Sequence, residues 1–418
     1  MTAAPLGPLD PLPLEPALRA LPKADLHLHA ETYAWLDRLS ARRAGRPPHT
    51  WRREVARLLR DVPPGMPRLD AINGDLPIAE LAPLDDEPDG FVDRIAAILA
   101  LGAAQGALLI EVRLGGFTVF RPEMMALFRE AERRVHARYP ALRAEAILCL
   151  RLPHEPEIMQ RRHDGCLRAA REGLAGIDII PEPYDSEADW AQIHPWVEPL
   201  AAAGLGVTVH AGEFSTANLA AALRTPGVTR IGHAAHAARD PRLLDLLAES
   251  GVTVECCPTS NVILGAVPSY EEHPIRRFVA AGIPVTLNTD NLLRLCARIG
   301  REYALAAALG FSMEELLGFT RNAVRASFTT EERRAELLAT VDGWRTGPAR
   351  VGSAPSPVSY APSPGPSPAA AREGGSHPPR LGAWGCMCPL VSPGGREKTT
   401  HGLYARRHEQ PASRGNHL

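Results

Sequence analysis

Residues 206–212 read GVTVHAG, a run of apolar and β-branched residues that stops at a histidine followed by a small-residue turn. A short run of this kind, bounded by glycines, predicts a buried β-strand with a polar residue near its carboxyl end. Further runs of the same type occur at intervals between residues 20 and 345: ADLHLH (24–29), GALLIEVRL (106–114), LRAEAILCL (142–150), GIDII (176–180), VTRIGHA (228–234), GVTVECC (251–257) and IPVTLNTD (283–290).

Helical stretches with apolar periodicity separate these runs, for example at 91–104, 188–203, 241–250 and 274–281. Strands that alternate with helices form a parallel sheet, and eight such strands close a (β/α)8 barrel. We therefore predict an α/β fold of the TIM-barrel type. A doubly wound open sheet is the alternative, but no glycine-rich phosphate loop follows the first strand. The long first crossover, from about residue 30 to 105, predicts a helical insertion that covers the barrel mouth.

The chain divides into three parts by composition. Residues 1–19 form a proline-rich N-terminal lead-in, and residues 20–345 carry the predicted barrel. Beyond Arg345 the sequence becomes rich in Pro, Ser, Gly and Ala, as in VGSAPSPVSYAPSPGPSPAAAREGG (351–375). Such a segment cannot bury enough apolar surface to offset its chain entropy, so we predict a disordered tail at 346–418.

Composition narrows the choice of partners. The formal net charge is −2, and no basic stripe interleaved with aromatic residues is present, which argues against nucleic acid and anionic membranes as partners. The N-terminus has neither the apolar core of a secretory signal nor that of a membrane span. The 7 cysteines are odd in number and irregular in spacing, which favours reduced thiols in a cytoplasmic protein. We therefore expect a small-molecule substrate, whereas no oligomeric state follows from the sequence.

Chemically active side chains lie at the carboxyl ends of several predicted strands. In a barrel these ends converge on one mouth, where active sites form. Two histidines at i and i+2 share one face of a strand, so both can point at the same centre. Imidazoles and a carboxylate are suitable Zn²⁺ ligands that leave a position for water. The residues concerned are His27, His29, His210, Glu213, His233 and Asp290.

Five motifs then identify a family. In order and spacing they resemble the motifs of the adenosine/AMP deaminase family of metal-dependent hydrolases, within the amidohydrolase superfamily. The resemblance extends over roughly residues 20–335. Its motifs are KADLHLH (23–29), VHAGE (209–213), RIGHA (230–234), CPTSN (257–261) and TLNTDN (286–291).

The resemblance implies hydrolytic deamination of adenosine or a related 6-aminopurine nucleoside, with release of ammonia. It implies that one Zn²⁺ per chain is held by four residues: His27, His29, His210 and Asp290. The metal would supply hydroxide at neutral pH. In the same resemblance, His233 orients and deprotonates the attacking water, and Glu213 protonates the ring nitrogen beside the attacked carbon.

The sequence argues against two other types of metal site. Dinuclear amidohydrolases bridge their metals with a carboxylated lysine at the end of the fourth strand, but the two lysines of this chain are Lys23 and Lys398. A single metal is therefore expected. The H-x-E pattern at 29–31 resembles a cytidine-deaminase site, but the required P-C-x-x-C pair does not follow it.

The positions predicted to face the substrate are His29, Glu31, Pro181 and Asn291. Three of them depart from the family pattern. In the family, an Asp that contacts the ribose follows the two histidines, and here that segment reads Ala30-Glu31-Thr32. Asn291 stands in place of a second Asp near purine N7. Pro181 stands where a glycine N–H would meet purine N3, and proline has no N–H to donate.

These departures leave alternatives open. The enzyme could catalyse deamination or amide hydrolysis of another nucleobase-like compound, or the chain could be a metal-bound binding protein without catalysis. Glu213 and His233 argue against the second alternative, because a binding protein needs no acid–base pair.

Other polar residues are expected to be structural or exposed. We expect a structural ion pair between Glu111 and Arg113 inside the barrel, and a structural role for His236. Histidines in helices and loops are expected to be exposed: His49, His136, His154, His163, His194 and His273.

Overall fold

The computed structural model of the protein describes residues 6–30, 51–74 and 88–344, and every structural statement below concerns these ranges. Eight strands form one sheet in which each strand pairs in parallel with the next one along the chain. Each predicted run overlaps one strand, so the predicted (β/α)8 barrel is confirmed. The strands are β1 (Lys23–His29), β2 (Ala107–Gly115), β3 (Arg143–Leu152), β4 (Gly176–Pro181), β5 (Gly206–Ala211), β6 (Val228–His233), β7 (Thr253–Cys256) and β8 (Val285–Leu287).

The barrel closes where the segment after β8 meets β1. Asp290 forms a parallel bridge with Leu28. The backbone N–H of His29 donates to the carbonyl of Asp290, and the N–H of Asp290 donates to the carbonyl of His27, each at 2.7 Å. We call this pair of backbone hydrogen bonds the seam. It joins the two segments that carry three of the predicted metal ligands.

Helices surround the sheet. None of the described helices is both long enough and apolar enough to cross a membrane. Short 3₁₀ turns lie at Thr118–Phe120 and Ala237–Arg239. The α-helices are α1 (Pro16–Ala20), α2 (Trp51–Asp61), α3 (Met66–Gly74), α4 (Pro88–Ala103), α5 (Met124–His136), α6 (Pro156–Arg171), α7 (Trp190–Ala202), α8 (Leu219–Ala222), α9 (Pro241–Ser250), α10 (Pro258–Leu264), α11 (Ile275–Ala280), α12 (Ile299–Ala308), α13 (Met313–Ala326) and α14 (Glu331–Gly343).

The predicted helical insertion after β1 is present as α2 and α3, whereas α4 packs against β2 and α5 as a helix of the barrel. Val55 and Leu58 of α2 join an apolar cluster with Leu264, at the end of α10, and with Leu295, in the loop after β8. The Gly65 N–H between α2 and α3 donates to the Leu264 carbonyl at 2.7 Å. The insertion therefore lies on the side of the barrel where β7 and β8 end, as expected for a lid. The remainder of the insertion, Glu31 and the predicted tail at 346–418 lie outside the described residues.

The amino end of the barrel is closed by Phe328, in the loop between α13 and α14. A Cβ added at Gly206 would lie 2.1 Å from this ring, and one at Gly176 would lie 2.4 Å from it. Both strands therefore need glycine at these positions for the ring to pack. The guanidinium of Arg230 stacks over the same ring at 3.6 Å from its centroid.

A network of fully buried charges fills the barrel interior. Arg113 contacts Asp178 at 2.6 Å and Glu255 at 2.5 Å, while Arg230 contacts Glu255 at 2.8 Å and Glu111 at 2.6 Å. Buried charges are tolerated when they are paired in this way. The expected ion pair between Glu111 and Arg113 is therefore wrong in its partners, since each of the two residues pairs with a charge on another strand.

Candidate active site

Histidines from β1 and β5 converge at the carboxyl end of the barrel. The register of β1 against β2 shifts between Asp25 and Leu28, a bulge that re-aims the side chains around His27. The ring centroid of His27 lies 5.3 Å from that of His29 and 4.5 Å from that of His210. The Nε2 atoms of His29 and His210 are 3.3 Å apart. The structure therefore brings the three predicted ligand histidines together.

Two buried carboxylates hold the outer nitrogens of these rings. Glu255 lies 2.9 Å from Nδ1 of His27, and Asp178 lies 2.8 Å from Nδ1 of His210. Burial alone would raise the pKa of Asp178, but the neighbouring charges of His210 and Arg113 outweigh it and lower that pKa. A carboxylate on Nδ1 leaves Nε2 as the nitrogen that faces the centre. The sequence did not single out Asp178 or Glu255.

The donor set fits a metal ion. Within the described part of the chain, Nε2 of His27 is buried without a hydrogen-bond partner. Burial and the charge of Arg113 hold the pKa of His27 well below its usual value, so its ring is neutral and Nε2 offers a lone pair. An unpaired buried acceptor is costly unless something binds it. A divalent cation held by imidazole nitrogens and a carboxylate meets that need.

Asp290 supplies the carboxylate. Its Oδ1 lies 3.7 Å from Nε2 of His29, and its Oδ2 accepts a hydrogen bond from the Ser260 hydroxyl at 2.5 Å. Asp290 has φ 59° and His233 has φ 66°, both in the left-handed region. Non-glycine residues adopt this strained backbone where the surrounding structure requires it, most often at functional sites. The strain places both side chains inside the mouth.

Glu213 and His233 lie beside the histidine cluster. Oε2 of Glu213 is 3.7 Å from Nε2 of His233. Burial, helped by the charge of Asp290, raises the pKa of Glu213 to about 8, so this carboxyl group is mainly protonated at neutral pH. Burial and the charge of His210 lower the pKa of His233 well below its usual value. The pair therefore consists of a protonated acid beside a neutral imidazole.

Tyr184 is a site residue that the sequence did not reveal. Its hydroxyl donates to Oε2 of Glu213 at 2.7 Å. The loop that carries it is held by buried Asn218, whose amide nitrogen donates to the carbonyls of Pro183, Tyr184 and Ser186. No strand or helix periodicity marks this loop, and only its position after β4 could have indicated a role.

His273 also belongs to the site, so the expectation that it is exposed is wrong. It is buried, and its Nε2 lies 3.1 Å from Oδ1 of Asn261. Nδ2 of Asn261 lies 3.1 Å from Nδ1 of His233 and 3.4 Å from Oε1 of Glu213. Asn261 ends the CPTSN motif, which was the available signal for this contact. His236, by contrast, contacts the Ala266 carbonyl at 3.1 Å, a structural role.

The structure describes three of the four positions predicted to face the substrate, and Glu31 lies outside the described residues. Pro181 ends β4 and is buried, and the next N–H, that of Glu182, donates to the Leu152 carbonyl at 2.7 Å. Oδ1 of Asn291 accepts from the N–H groups of Leu293 at 3.2 Å and Arg294 at 2.9 Å. The amide nitrogen of Asn291 is therefore the atom that this turn does not use.

Comparisons with known proteins agree with this architecture. An adenine deaminase from Rhizobium leguminosarum bv. trifolii is 45% identical over 139 residues, which are 33% of this chain and 43% of that protein. An adenosine deaminase from Shewanella loihica is 41% identical over 139 residues, which are 33% of this chain and 42% of that protein. The aligned regions thus span less than half the length of either relative.

Solved structures match over a greater length. The adenine deaminase of Arthrobacter aurescens superposes with a TM-score of 0.65 at 25% identity, covering 78% of this chain and 99% of that one. An amidohydrolase from Burkholderia ambifaria with bound zinc gives a TM-score of 0.62 at 21% identity, covering 78% and 91%, which supports the fold. The model of the adenosine deaminase family matches residues 120–344, more than half of the 418 residues. The chain belongs to the adenosine deaminase family.

Proposed function

We propose that the protein hydrolytically deaminates a 6-aminopurine, with adenosine or a related nucleoside as the leading substrate. The observation that carries this proposal is one buried cluster that combines a metal-binding donor set with a protonated carboxyl group, that of Glu213. The names of the relatives, adenine deaminase and adenosine deaminase, support the same substrate class. We also propose a reducing compartment such as the cytoplasm, since the 7 cysteines are odd in number and irregular in spacing.

We propose that His27, His29, His210 and Asp290 hold one zinc-like ion. When bound there, the ion lowers the pKa of a water from 15.7 to ~7 and so supplies hydroxide at neutral pH. Glu255 and Asp178 orient two of the ligand rings through Nδ1. With three imidazole nitrogens and one carboxylate bound, the ion would take that water as a fifth ligand.

Glu213 is the proposed general acid. It holds a proton at neutral pH because burial raises its pKa to about 8. It can give this proton to the ring nitrogen next to the attacked carbon, which makes that carbon a better electrophile. His233 is the residue proposed to hold the attacking oxygen, and its Nε2 lies 3.7 Å from Oε2 of Glu213. Glu213 thus acts on the ring nitrogen, and His233 acts on the nucleophile.

Residues at the end of β4 and in the turn after β8 determine which hydrogen bonds the purine ring can receive. The unused amide nitrogen of Asn291 can donate to an acceptor such as purine N7. Pro181 has no N–H, and the N–H of Glu182 is already bonded, so neither backbone position offers a donor to purine N3. The reaction should therefore depend strongly on the ring nitrogen that Glu213 protonates and weakly on N3.

An ammonia-release screen tests the proposed function. The zinc-loaded protein is assayed with adenosine, deoxyadenosine, adenine, AMP, N6-substituted adenosines, cytosine and guanine. We expect turnover of at least one 6-aminopurine, with the 1-deaza analogue of that substrate impaired far more than the 3-deaza analogue. If cytosine or guanine alone reacts, the purine assignment is wrong. If the metal binds but nothing reacts, a binding protein becomes the better explanation.

Replacement of Tyr184 by phenylalanine tests the contact with Glu213. This change removes one hydrogen bond to a carboxyl group, worth roughly 1–2 kcal/mol, and so should lower kcat about tenfold. KM should change little, because the Tyr184 hydroxyl contacts the proposed general acid, Glu213. The control is Glu187→Gln, at an exposed position of the same loop after β4. Equal losses in both variants would indicate a disturbed loop and count against a specific role for the hydroxyl.

A further inference from the structure

We propose that His273 and Asn261 are positioning residues that fix the hydrogen of His233 on Nε2. Three consecutive hydrogen bonds carry this inference. The Ile275 N–H lies 3.3 Å from Nδ1 of His273, Nε2 of His273 lies 3.1 Å from Oδ1 of Asn261, and Nδ2 of Asn261 lies 3.1 Å from Nδ1 of His233. We call this chain of contacts the relay.

The relay has a direction, because its first member is a backbone N–H that can only donate. Nδ1 of His273 accepts that hydrogen bond and therefore carries a lone pair. Burial lowers the pKa of His273 to about 3, so the ring is neutral and its one hydrogen is on Nε2. This Nε2–H donates to Oδ1 of Asn261. The orientation of the Asn261 amide is thereby determined.

The amide nitrogen then acts on two catalytic groups. Its two hydrogens are directed at Nδ1 of His233 and at Oε1 of Glu213, at 3.1 and 3.4 Å. Because Nδ1 of His233 accepts, the neutral ring carries its hydrogen on Nε2. Tyr184 donates to the other oxygen of Glu213. Each member of the acid–imidazole pair is thus held by a neutral donor from outside the metal cluster.

This assignment deepens the proposed function, on which its kinetic consequence rests. With a hydrogen on Nε2, His233 donates a hydrogen bond to the attacking oxygen. It does not accept a proton through that nitrogen, so the role of base implied by the family resemblance is replaced by one of orientation. A donor suits a hydroxide nucleophile, whose lone pairs accept hydrogen bonds.

The structure offers matched variants. Asn261→Asp keeps the shape but replaces the amide donor with a carboxylate, which accepts from His233 and moves its hydrogen to Nδ1. His273→Gln retains a side-chain donor for Asn261, whereas His273→Leu removes it. The pair separates the hydrogen bond from the packing at position 273.

The first readout is nuclear magnetic resonance of the full zinc-loaded chain with ¹⁵N-labelled histidine, with the His233 signals identified by their loss in His233→Gln. We expect the Nε2–H tautomer in the native protein and in His273→Gln, a mixture in His273→Leu and the Nδ1–H tautomer in Asn261→Asp. An Nδ1–H tautomer in the native protein would overturn the relay. This readout needs no substrate, so it stands apart from the proposed function.

The second readout is kinetic. Loss of the correct tautomer costs ~10⁴ in kcat in a serine-protease triad, and for Asn261→Asp we expect a fall in kcat of at least about 30-fold with a nearly unchanged KM. His273→Leu should lose activity and His273→Gln should recover most of it. If Asn261→Asp reverses the tautomer, keeps its metal and retains normal kcat, the positioning role is wrong.

Discussion

Replacing Asp290 with alanine is expected to abolish both metal binding and turnover. Asp290 is the carboxylate of the proposed donor set, and its Oδ1 lies 3.7 Å from Nε2 of His29. Without the metal, the pKa of the attacking water returns from ~7 to 15.7, so hydroxide at neutral pH falls by several orders of magnitude. Elemental analysis and the ammonia assay on the same sample measure both effects, and His210→Ala should behave in the same way.

Two further variants make this result interpretable. Asp178→Asn keeps the shape of the partner of His210 but removes its charge, and should weaken metal affinity by ~10–100-fold. Because Asp178 also pairs with buried Arg113, the same change should lower the stability of the fold. His136→Ala removes an exposed histidine from the end of α5 and should retain one ion per chain. Two ions per native chain would contradict the mononuclear site. A stoichiometric ion in Asp290→Ala would remove that residue from the ligand set.

Replacing Glu213 with glutamine is expected to leave the metal in place and to lower kcat by ~10²–10⁴-fold, the usual contribution of a general acid. Glutamine retains the size of the side chain and can still contact the Tyr184 hydroxyl, but it has no acidic proton to give. The matched comparison is Glu187→Gln in the loop after β4, where the carboxyl group is exposed. Near-native turnover by Glu213→Gln would show that another group protonates the purine.

The same residue sets an expected pH dependence. The pKa of Glu213 is raised to about 8, so its protonated form is present below that pH and is lost as the pH rises through about 8. Activity of the native enzyme should therefore decline above pH 8. A decline that persists unchanged in the residual activity of Glu213→Gln would assign the titration to a different group.

The fold and the centre of the site could be predicted from sequence because each has a local signature. Every strand is a short apolar run between turn residues, and a parallel barrel brings all carboxyl ends to one mouth. His210 and His233 could therefore be placed together although they belong to different strands. The same reasoning failed for Arg113 and Glu111, because facing the interior does not determine which residue across the barrel pairs with each.

The supporting residues lacked a comparable signal. Asp178 and Glu255 lie within strands and contact histidines 32 and 228 residues away in sequence, a distance that periodicity does not encode. His273 lies in a loop before a short helix, where a histidine is usually solvated. It is buried because Asn261 accepts its hydrogen bond and the Ile275 N–H satisfies its other nitrogen. Tertiary contacts alone determine these roles.

The seam that closes the barrel joins two segments that also carry proposed metal ligands. β8 is three residues long, and side chains complete its junction with β1: Asn288 accepts from the Leu26 N–H at 2.9 Å, and the Thr289 hydroxyl donates to Asp25 at 2.6 Å. A metal ligated from both sides of this junction adds a bond across it. At a free metal concentration 100 times Kd, such binding stabilises the folded state by about 2.7 kcal/mol. A bound ion would then hold the two sides of the barrel together, and removing the metal would lower the free energy of unfolding as well as the activity.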